Sequence, residues 1–151
     1  SRRAELRRLV WLEADALVPE EGLVVGSQID EDVVIAMSPD HAAQVFAHLV
    51  RNAIHFRKPL AAAQLSLSAK RIPESESWEI ELRDEGIGVR AGDIAEVFEP
   101  FYRSSESARQ SPGLGLSVAR HLLSLYGGSI EIESEHGVFT LVRVRVPRAE
   151  S

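Results

Sequence analysis

The 151-residue chain contains no cysteine. That excludes disulfides, thiol chemistry and cysteine-ligated metal sites, and it fits a reducing compartment. No uninterrupted apolar run approaches the roughly 18 to 20 residues that a membrane helix needs, and no signal peptide is visible. The expectation is therefore a cytoplasmic domain, whose parent protein can still be membrane-anchored. There is no long basic run, and the formal net charge is -6. This argues against a general nucleic-acid binder but not against a nucleotide ligand, because a phosphate site is a local feature. Internal repeats and low-complexity segments are also lacking. The chain opens at Ser1 without a methionine and stops at Ser151, as an excised domain of a longer protein would.

What is present suffices for one domain with a single core. Residues 3–17 (RAELRRLVWLEADAL) read as a helix with Leu6, Leu9, Val10 and Leu17 on one side, broken by Pro19 and Gly22. LVV at 23–25 and VVIAM at 33–37 read as strands, with GSQIDED as the turn region. Ser38 can cap a helix that Pro39 and Asp40 suit at its first turn, running to about Phe56. AAQLSLSAKRI (62–72) and WEIELRD (78–84) read as paired strands around the polar turn PESES. Residues 84–93 are too glycine-rich for either element, 94–98 suggest a short helix, and 99–113 suggest a mobile loop. LGLSVARHLLSLY (114–126) is an amphipathic helix ended by Gly127 and Gly128, followed by a final hairpin, SIEIES and VFTLVRVRV. The pattern predicts an α/β sandwich with a mixed sheet and helices on one face.

The stretch HLVRNAIHF (48–56) raises a question within the first long helix. Ala42, Val45, Phe46, Leu49, Ala53 and Phe56 share one side, while His41, His48, Asn52 and His55 fall within an arc of about 60° beside it. A polar border stripe of this kind meets water or a loop, or else lines a cleft. A shared metal ion is excluded, because His48 and His55 stand roughly 10 Å apart along the axis.

Two glycine motifs follow. In DEGIG (84–88) an aspartate ends a strand, and two glycines let backbone approach a flat ligand. Asp84 can accept a hydrogen bond from an exocyclic amine and so select adenine over guanine; the plain alternative is a turn with a solvated aspartate. GLGL (113–116) opens the amphipathic helix with free N–H groups at its positive end, which suits phosphate; the plain alternative is a flexible linker. The spacing matches neither GxGxxG nor GxxxxGK[ST].

An asparagine on a helix, then strand–DxGxG, then loop–GxGL–helix resembles the ATP-binding domain of the GHKL superfamily. The closer resemblance is to the catalytic ATP-binding domain of bacterial sensor histidine kinases. It covers about Asp40 to Pro147 and includes the N box (HAAQVFAHLVRNAIHF), G1 box (DEGIG), F box (EVFEPFYRS) and G2 box (SPGLGLSVARHLL), with YGGSIEIES and GVFTLVRVRVP as closing strands. The fold implied is α+β, a two-layer sandwich of the Bergerat type. Its sheet is mixed but mostly antiparallel, with helices packed on one face. Residues 1–18 would then be a helical connector from a dimerisation and phosphoacceptor hairpin, and 19–151 the ATP-binding catalytic domain.

The resemblance also implies roles. Asn52 matches the magnesium-chelating asparagine, an amide oxygen that joins waters and phosphate oxygens around Mg²⁺. Asp84 matches the adenine-reading aspartate, and Gly86 and Gly88 the glycines flanking base and ribose. Gly113 and Gly115 match those that let a lid close over the phosphates. Leu114 and Leu116 sit in the same box, where packing is the plainer role, and Phe98, Phe101 and Tyr102 belong to the F box. Arg103 and Arg109 lie in the lid, in reach of phosphate. His48 stands where these kinases usually have a first asparagine, and His55 where they have a lysine near the phosphates. Together with Asn52 these two form the expected catalytic set, and the substitutions imply weaker or pH-sensitive use of ATP.

The implied activity is transfer of the ATP γ-phosphoryl group to a histidine on a separate helical hairpin, within two-component signalling. The five histidines here are followed by Ala, Leu, Phe, Leu and Gly rather than by Glu or Asp, so the acceptor is expected outside this chain. The implied partners are that hairpin and, through the parent kinase, a cognate response regulator, with no nucleic-acid or membrane contact. The altered N box leaves open a non-catalytic nucleotide-binding module of a degenerate kinase. A GHKL ATPase would need a glutamate at the His48 position to activate water. A stand-alone anti-sigma-factor kinase is disfavoured by the F box and the GLGL helix.

Overall fold

The computed structural model describes residues 3–6, 23–28, 33–55, 63–86 and 115–149, and for 23–28, 53–55, 63–64 and 115 it describes the backbone. The elements are β1 (Ala4–Glu5), β2 (Leu23–Gln28), β3 (Val34–Ile35), α1 (Pro39–His55), β4 (Ala63–Ile72), β5 (Ser77–Asp84), α2 (Gly115–Ser124), β6 (Ser129–Glu135) and β7 (Phe139–Pro147). The main sheet has the order β2-β4-β5-β7-β6, and β1 pairs with β3 in a small second sheet. The β2–β4 pair is parallel, whereas β4–β5, β5–β7 and β6–β7 are antiparallel. This is the mixed, mostly antiparallel sheet that the sequence implied, with both helices on one face.

Alternation along the central strand β5 defines the two faces. Trp78, Ile80, Leu82 and Asp84 are buried, while Glu79, Glu81 and Arg83 point the other way. On β7, Thr140, Val142, Val144 and Val146 continue the buried face. Helix α1 covers it with Ala42, Val45, Phe46, Leu49 and Val50, and α2 with Leu116, Ala119, Leu122 and Leu123. A fully buried Phe or Leu contributes about 2 kcal/mol of transfer free energy, so this layer is the main source of stability. The opposite face carries an ordered charge pattern. Lys70 and Arg145 flank Glu79 at 3.2 and 3.7 Å, and Arg143 bridges Glu81 and Glu133 at 3.3 and 3.6 Å.

Local chemistry explains the element ends. The Ser38 hydroxyl accepts a hydrogen bond from the His41 N–H at 3.2 Å, and the Ser38 carbonyl one from the Ala42 N–H at 3.0 Å, so Ser38 is the cap that starts α1. Helix α2 ends in a left-handed Gly127 (φ 76), with the Gly128 N–H donating to the Leu123 carbonyl at 2.8 Å. Gly128 is needed for a second reason: a Cβ there would lie 2.8 Å from the Arg145 carbonyl oxygen.

Two expectations are corrected. Ala4–Glu5 is a strand rather than the start of a helix, because its backbone finds partners in Val34–Ile35 and its side chains alternate between buried Ala4 and exposed Glu5. Residues 7–17 lie outside the described residues. The runs at 23–25 and 33–37 do not form a hairpin. Gly26, Ser27 and Gln28 extend β2 instead of turning, and β2 pairs in parallel with β4, a connection that requires a crossover element, here α1. The strand at 33–37 is confined to Val34–Ile35, stitched to the chain end by Ala36 N–H to the Pro147 carbonyl (2.9 Å) and Ala149 N–H to the Val34 carbonyl (3.0 Å).

Candidate functional site

Asp84 closes β5, the middle strand of the five, and lies on its buried face with 5% of its surface exposed. Burial pushes its carboxyl up to about 6, against the opposing pull of the Gly86 N–H and the Arg83 charge. The Gly86 N–H donates to Oδ1 at 3.0 Å, which fixes the carboxylate and begins the turn after the strand. Gly86 is itself buried. Across the sheet, Asp84 pairs with Leu65 on one side and Thr140 on the other.

Asn52 is half-buried on α1, one turn after the half-buried His48. Burial and the neighbouring Arg51 charge hold the His48 ring below its ordinary range, so it is neutral at physiological pH. His55 is the last residue of α1. Gly115 opens α2, and Leu116 is buried in the core, where it packs. Gly88, Phe98, Phe101, Tyr102, Arg103, Arg109, Gly113 and Leu114 lie outside the described residues.

His41 leaves the polar stripe for a structural task. Its Nδ1 lies 2.6 Å from the Tyr126 hydroxyl, with the rings edge to face at 5.7 Å. This contact joins the start of α1 to the turn after α2, and the two helices pack side by side in opposite directions. Asn52 is eleven residues beyond His41, and Gly115 eleven before Tyr126, about 16 Å along each helix. They therefore stand level with one another at the far end of the pair.

That end is also the Asp84 end of the sheet. Gly128, after α2, abuts Arg145, whose strand partner is Glu79, and α1 begins beside Pro147, whose partner is Ser77. Both anchors lie at the start of β5, so both helices reach toward its finish. After α1 the chain returns at Ala63 into β4, where Leu65 sits opposite Asp84. Asn52 thus lies near the finish of α1, Asp84 at the finish of β5 and Gly115 at the start of α2.

Reading the sequence missed two hydroxyls at that end. Thr140 is buried opposite Asp84, and its Oγ1 lies 3.2 Å from the Ser134 Oγ on β6. The available signal was a threonine at a strand position whose period-two successors are Val142, Val144 and Val146. Among the described residues, no group of three or more His, Cys, Asp or Glu side chains is arranged to hold a metal.

Comparison with known proteins agrees with this architecture. Residues 37–150 match the family of histidine kinase-, DNA gyrase B- and HSP90-like ATPases. The sensor protein VanSC of Enterococcus gallinarum is 33% identical over 135 residues, covering 87% of this chain and 36% of that protein. The virulence sensor protein BvgS of Bordetella bronchiseptica is 33% identical over 140 residues, 86% of this chain and 11% of that one. The chain thus spans roughly a third or less of these relatives. Among solved structures, the mycobacterial sensor histidine kinase MprB superposes with a TM-score of 0.84 at 16% identity, covering 99% of both chains. The catalytic domain of histidine kinase ThkA superposes at 0.78 and 17%, covering 97% and 94%. With a central strand ending in a buried aspartate, two antiparallel helices over it and a family match across most of its length, the chain belongs to the histidine kinase-, DNA gyrase B- and HSP90-like ATPases, as the catalytic ATP-binding domain of a sensor histidine kinase.

Proposed function

We propose that the domain binds Mg–ATP at the end of the sandwich that carries Asp84, Asn52 and Gly115, and donates the γ-phosphoryl group to a histidine on a separate helical hairpin. The observation that carries this reading is the buried carboxylate of Asp84, fixed by the Gly86 N–H at the finish of the central strand. A costly buried acceptor of this kind is suited to a ligand amine. Asp84 reads the base, and Gly86 and Gly88 let the backbone approach it. Asn52 offers its amide oxygen to Mg²⁺, which supplies charge neutralisation on the phosphates when bound. The free N–H groups at the start of α2, opened by Gly113 and Gly115, face phosphate. Phe101, Tyr102, Arg103, Leu114 and Leu116 complete the nucleotide-binding set, and His48 and His55 replace polar residues beside the phosphates. Phosphoryl transfer asks mainly for positioning and charge neutralisation, so a domain of this kind needs no covalent step of its own.

The partners follow from that chemistry. The acceptor hairpin belongs to the parent kinase, to which residues 1–18 connect, and a response regulator receives the phosphoryl group in turn. The parent works at the cytoplasmic side of signalling; among the described residues no helix is long and apolar enough to cross a membrane.

One observation favours a second reading, a nucleotide-binding module without transferase activity. The neutral, half-buried His48 supplies neither the amide of the usual asparagine nor a positive charge. Calorimetry with ATP and Mg²⁺, followed by transfer of labelled phosphate to an intact acceptor hairpin in trans, separates the two. Binding with transfer supports the kinase; binding without transfer supports the module. No heat of binding to the wild type overturns both.

A further inference from the structure

Among the cations on the outer face of the sheet, Arg83 stands apart. Lys70, Arg143 and Arg145 each pair with a glutamate. The Arg83 guanidinium instead lies over the Phe139 ring, 4.2 Å from its centroid, and among the described residues no carboxylate pairs with it. The strand register shows where this stack sits. Directly opposite Arg83 on β7 is Leu141, and opposite Asp84 is Thr140. Phe139 is therefore one position past Asp84, level with Glu85 and diagonal to Arg83. A long side chain reaches such a diagonal neighbour, about 7–8 Å away.

Stacking draws the guanidinium forward, past Leu141 and toward the finish of β5. The negative face of the ring holds a cation there. Asp84 lies on the other side of the sheet, buried, and its cross-strand neighbours Leu65 and Thr140 are uncharged. The other charged or titratable groups on the surrounding elements are Glu85 after it, Glu133, Glu135 and His136 along β6 and its turn, His48, Arg51 and His55 on α1, and Arg120 and His121 on α2. Two influences oppose the burial of the carboxyl, the Gly86 N–H and the Arg83 charge, so Arg83 is the side chain that acts on it. A field that passes through the sheet is screened less than one that passes through water.

We propose that Arg83 and Phe139 are positioning residues for Asp84: the ring holds the guanidinium at the finish of β5, where its charge keeps the carboxyl ionised and ready to accept from a base amine. The proposal rests on the reading of Asp84 as the base-binding residue and adds to it the pair that sets its charge. Both act through Asp84, without touching the nucleotide. Without the ring, the guanidinium is released to swing into solvent, where its charge is screened.

Two measurements test this. Carbon-13 chemical shifts of the Asp84 carboxyl, followed from pH 4 to pH 8 in the ligand-free domain, give its midpoint in the wild type, Arg83→Gln, Arg83→Lys, Phe139→Leu and the Arg83→Gln/Phe139→Leu pair. Arg83→Gln is expected to raise the midpoint by about 0.2–0.7 pH units, the worth of a solvent-screened charge pair. Phe139→Leu raises it by less, and Arg83→Lys, which keeps the charge, leaves it nearly in place. The double variant matches Arg83→Gln, because Phe139 acts through Arg83. Calorimetry with ATP and Mg²⁺ gives the second readout. A carboxyl with a value of about 6 is half ionised at pH 6, so Arg83→Gln binds ATP about 1.3- to 3-fold more weakly than wild type there and equally well at pH 8. A midpoint unmoved in Arg83→Gln, one moved as far in Arg83→Lys, or an affinity loss equal at both pH values overturns the role of the charge. A Phe139→Leu shift that persists without Arg83 overturns the role of the ring. A wild type that binds no ATP overturns the base-binding reading, while the carboxyl midpoints still decide whether the stack sets the charge of Asp84.

Discussion

His41 and Tyr126, 85 residues apart in the chain, meet through a 2.6 Å hydrogen bond that locks the first turn of α1 against the turn after α2. Since both helices are levelled from this contact, it sets where their far ends stand. Tyr126→Phe keeps the ring and deletes the hydroxyl. The expected loss is about 1 kcal/mol, seen as a melting temperature lower by about 2–4 °C for a domain of this size. Thermal unfolding followed by circular dichroism checks it; an unchanged melting point means the contact does not tie the helices.

The burial of Asp84 bears directly on stability. Its folded-state value of about 6 lies above the 3.8 of an ordinary aspartate. The folded protein therefore holds the proton more tightly than the unfolded chain. The resulting stabilisation is complete below pH 4 and is lost as pH rises through 6. At pH 8 the buried charge is a burden of up to about 3 kcal/mol. Asp84→Asn is expected to raise the stability of the ligand-free domain at pH 8 by about 1–3 kcal/mol while abolishing ATP binding. Urea unfolding at pH 8 and pH 4 reads the gain and its disappearance. A variant less stable than wild type at pH 8 contradicts the argument.

The two altered histidines separate by pH. His48 titrates below the ordinary 6.5, so His48→Asn leaves the change in ATP affinity between pH 7 and pH 8 as it is in the wild type. At the His55 position a lysine is a firmer cation than histidine near neutrality. His55→Lys is expected to bind ATP about three- to ten-fold more tightly than wild type at pH 8, a gain of about 1 kcal/mol of the kind a charge-assisted contact supplies. The gap should close at pH 6. Asp84 titrates in both proteins, so their ratio isolates His55. Identical ratios at the two pH values count against a phosphate-side role.

Gly128 joins α2 to β6 through a space that no side chain can share. Gly128→Ala places a methyl group 2.8 Å from the Arg145 carbonyl oxygen and 3.2 Å from that of Leu123. Both obstacles are backbone, so the turn must shift, at about 1–3 kcal/mol. Denaturant unfolding measures this. Gly127→Ala gives a useful contrast: it meets open space but keeps a φ of 76, and should cost about 1 kcal/mol. Equal costs at the two positions would mean that the carbonyl contact is not the constraint.

Elements with a local physical cause could be read from the sequence. Ser38 and Pro39 announce α1, paired glycines announce the end of α2, and PESES separates β4 from β5, each within a residue or two of the observed boundary. What could not be read depends on distant partners. Ala4–Glu5 is short enough to follow either a helical or an alternating pattern, and Val34–Ile35 decides it. The parallel pairing of β2 with β4 has no local signal either. Of the polar stripe on α1, periodicity placed His41, His48 and Asn52 correctly at the border of the buried face. It could not distinguish His41, which is taken by Tyr126, from the other two. Thr140 and Ser134 escaped notice because a hydroxyl in a strand carries no signature until its cross-strand neighbours are known.

The stitching of β1 and β3 to the chain's last strand has a mechanical consequence. Leu6, Val33, Val34 and Ala36 are tied to one another and to Pro147 and Ala149. The opposite end of that strand, Thr140, lies beside Asp84. The span between them is seven residues, about 23 Å of extended chain. A pull delivered through residues 3–6 therefore enters the main sheet at the Pro147 end of β7, a strand's length away from Thr140 and Asp84.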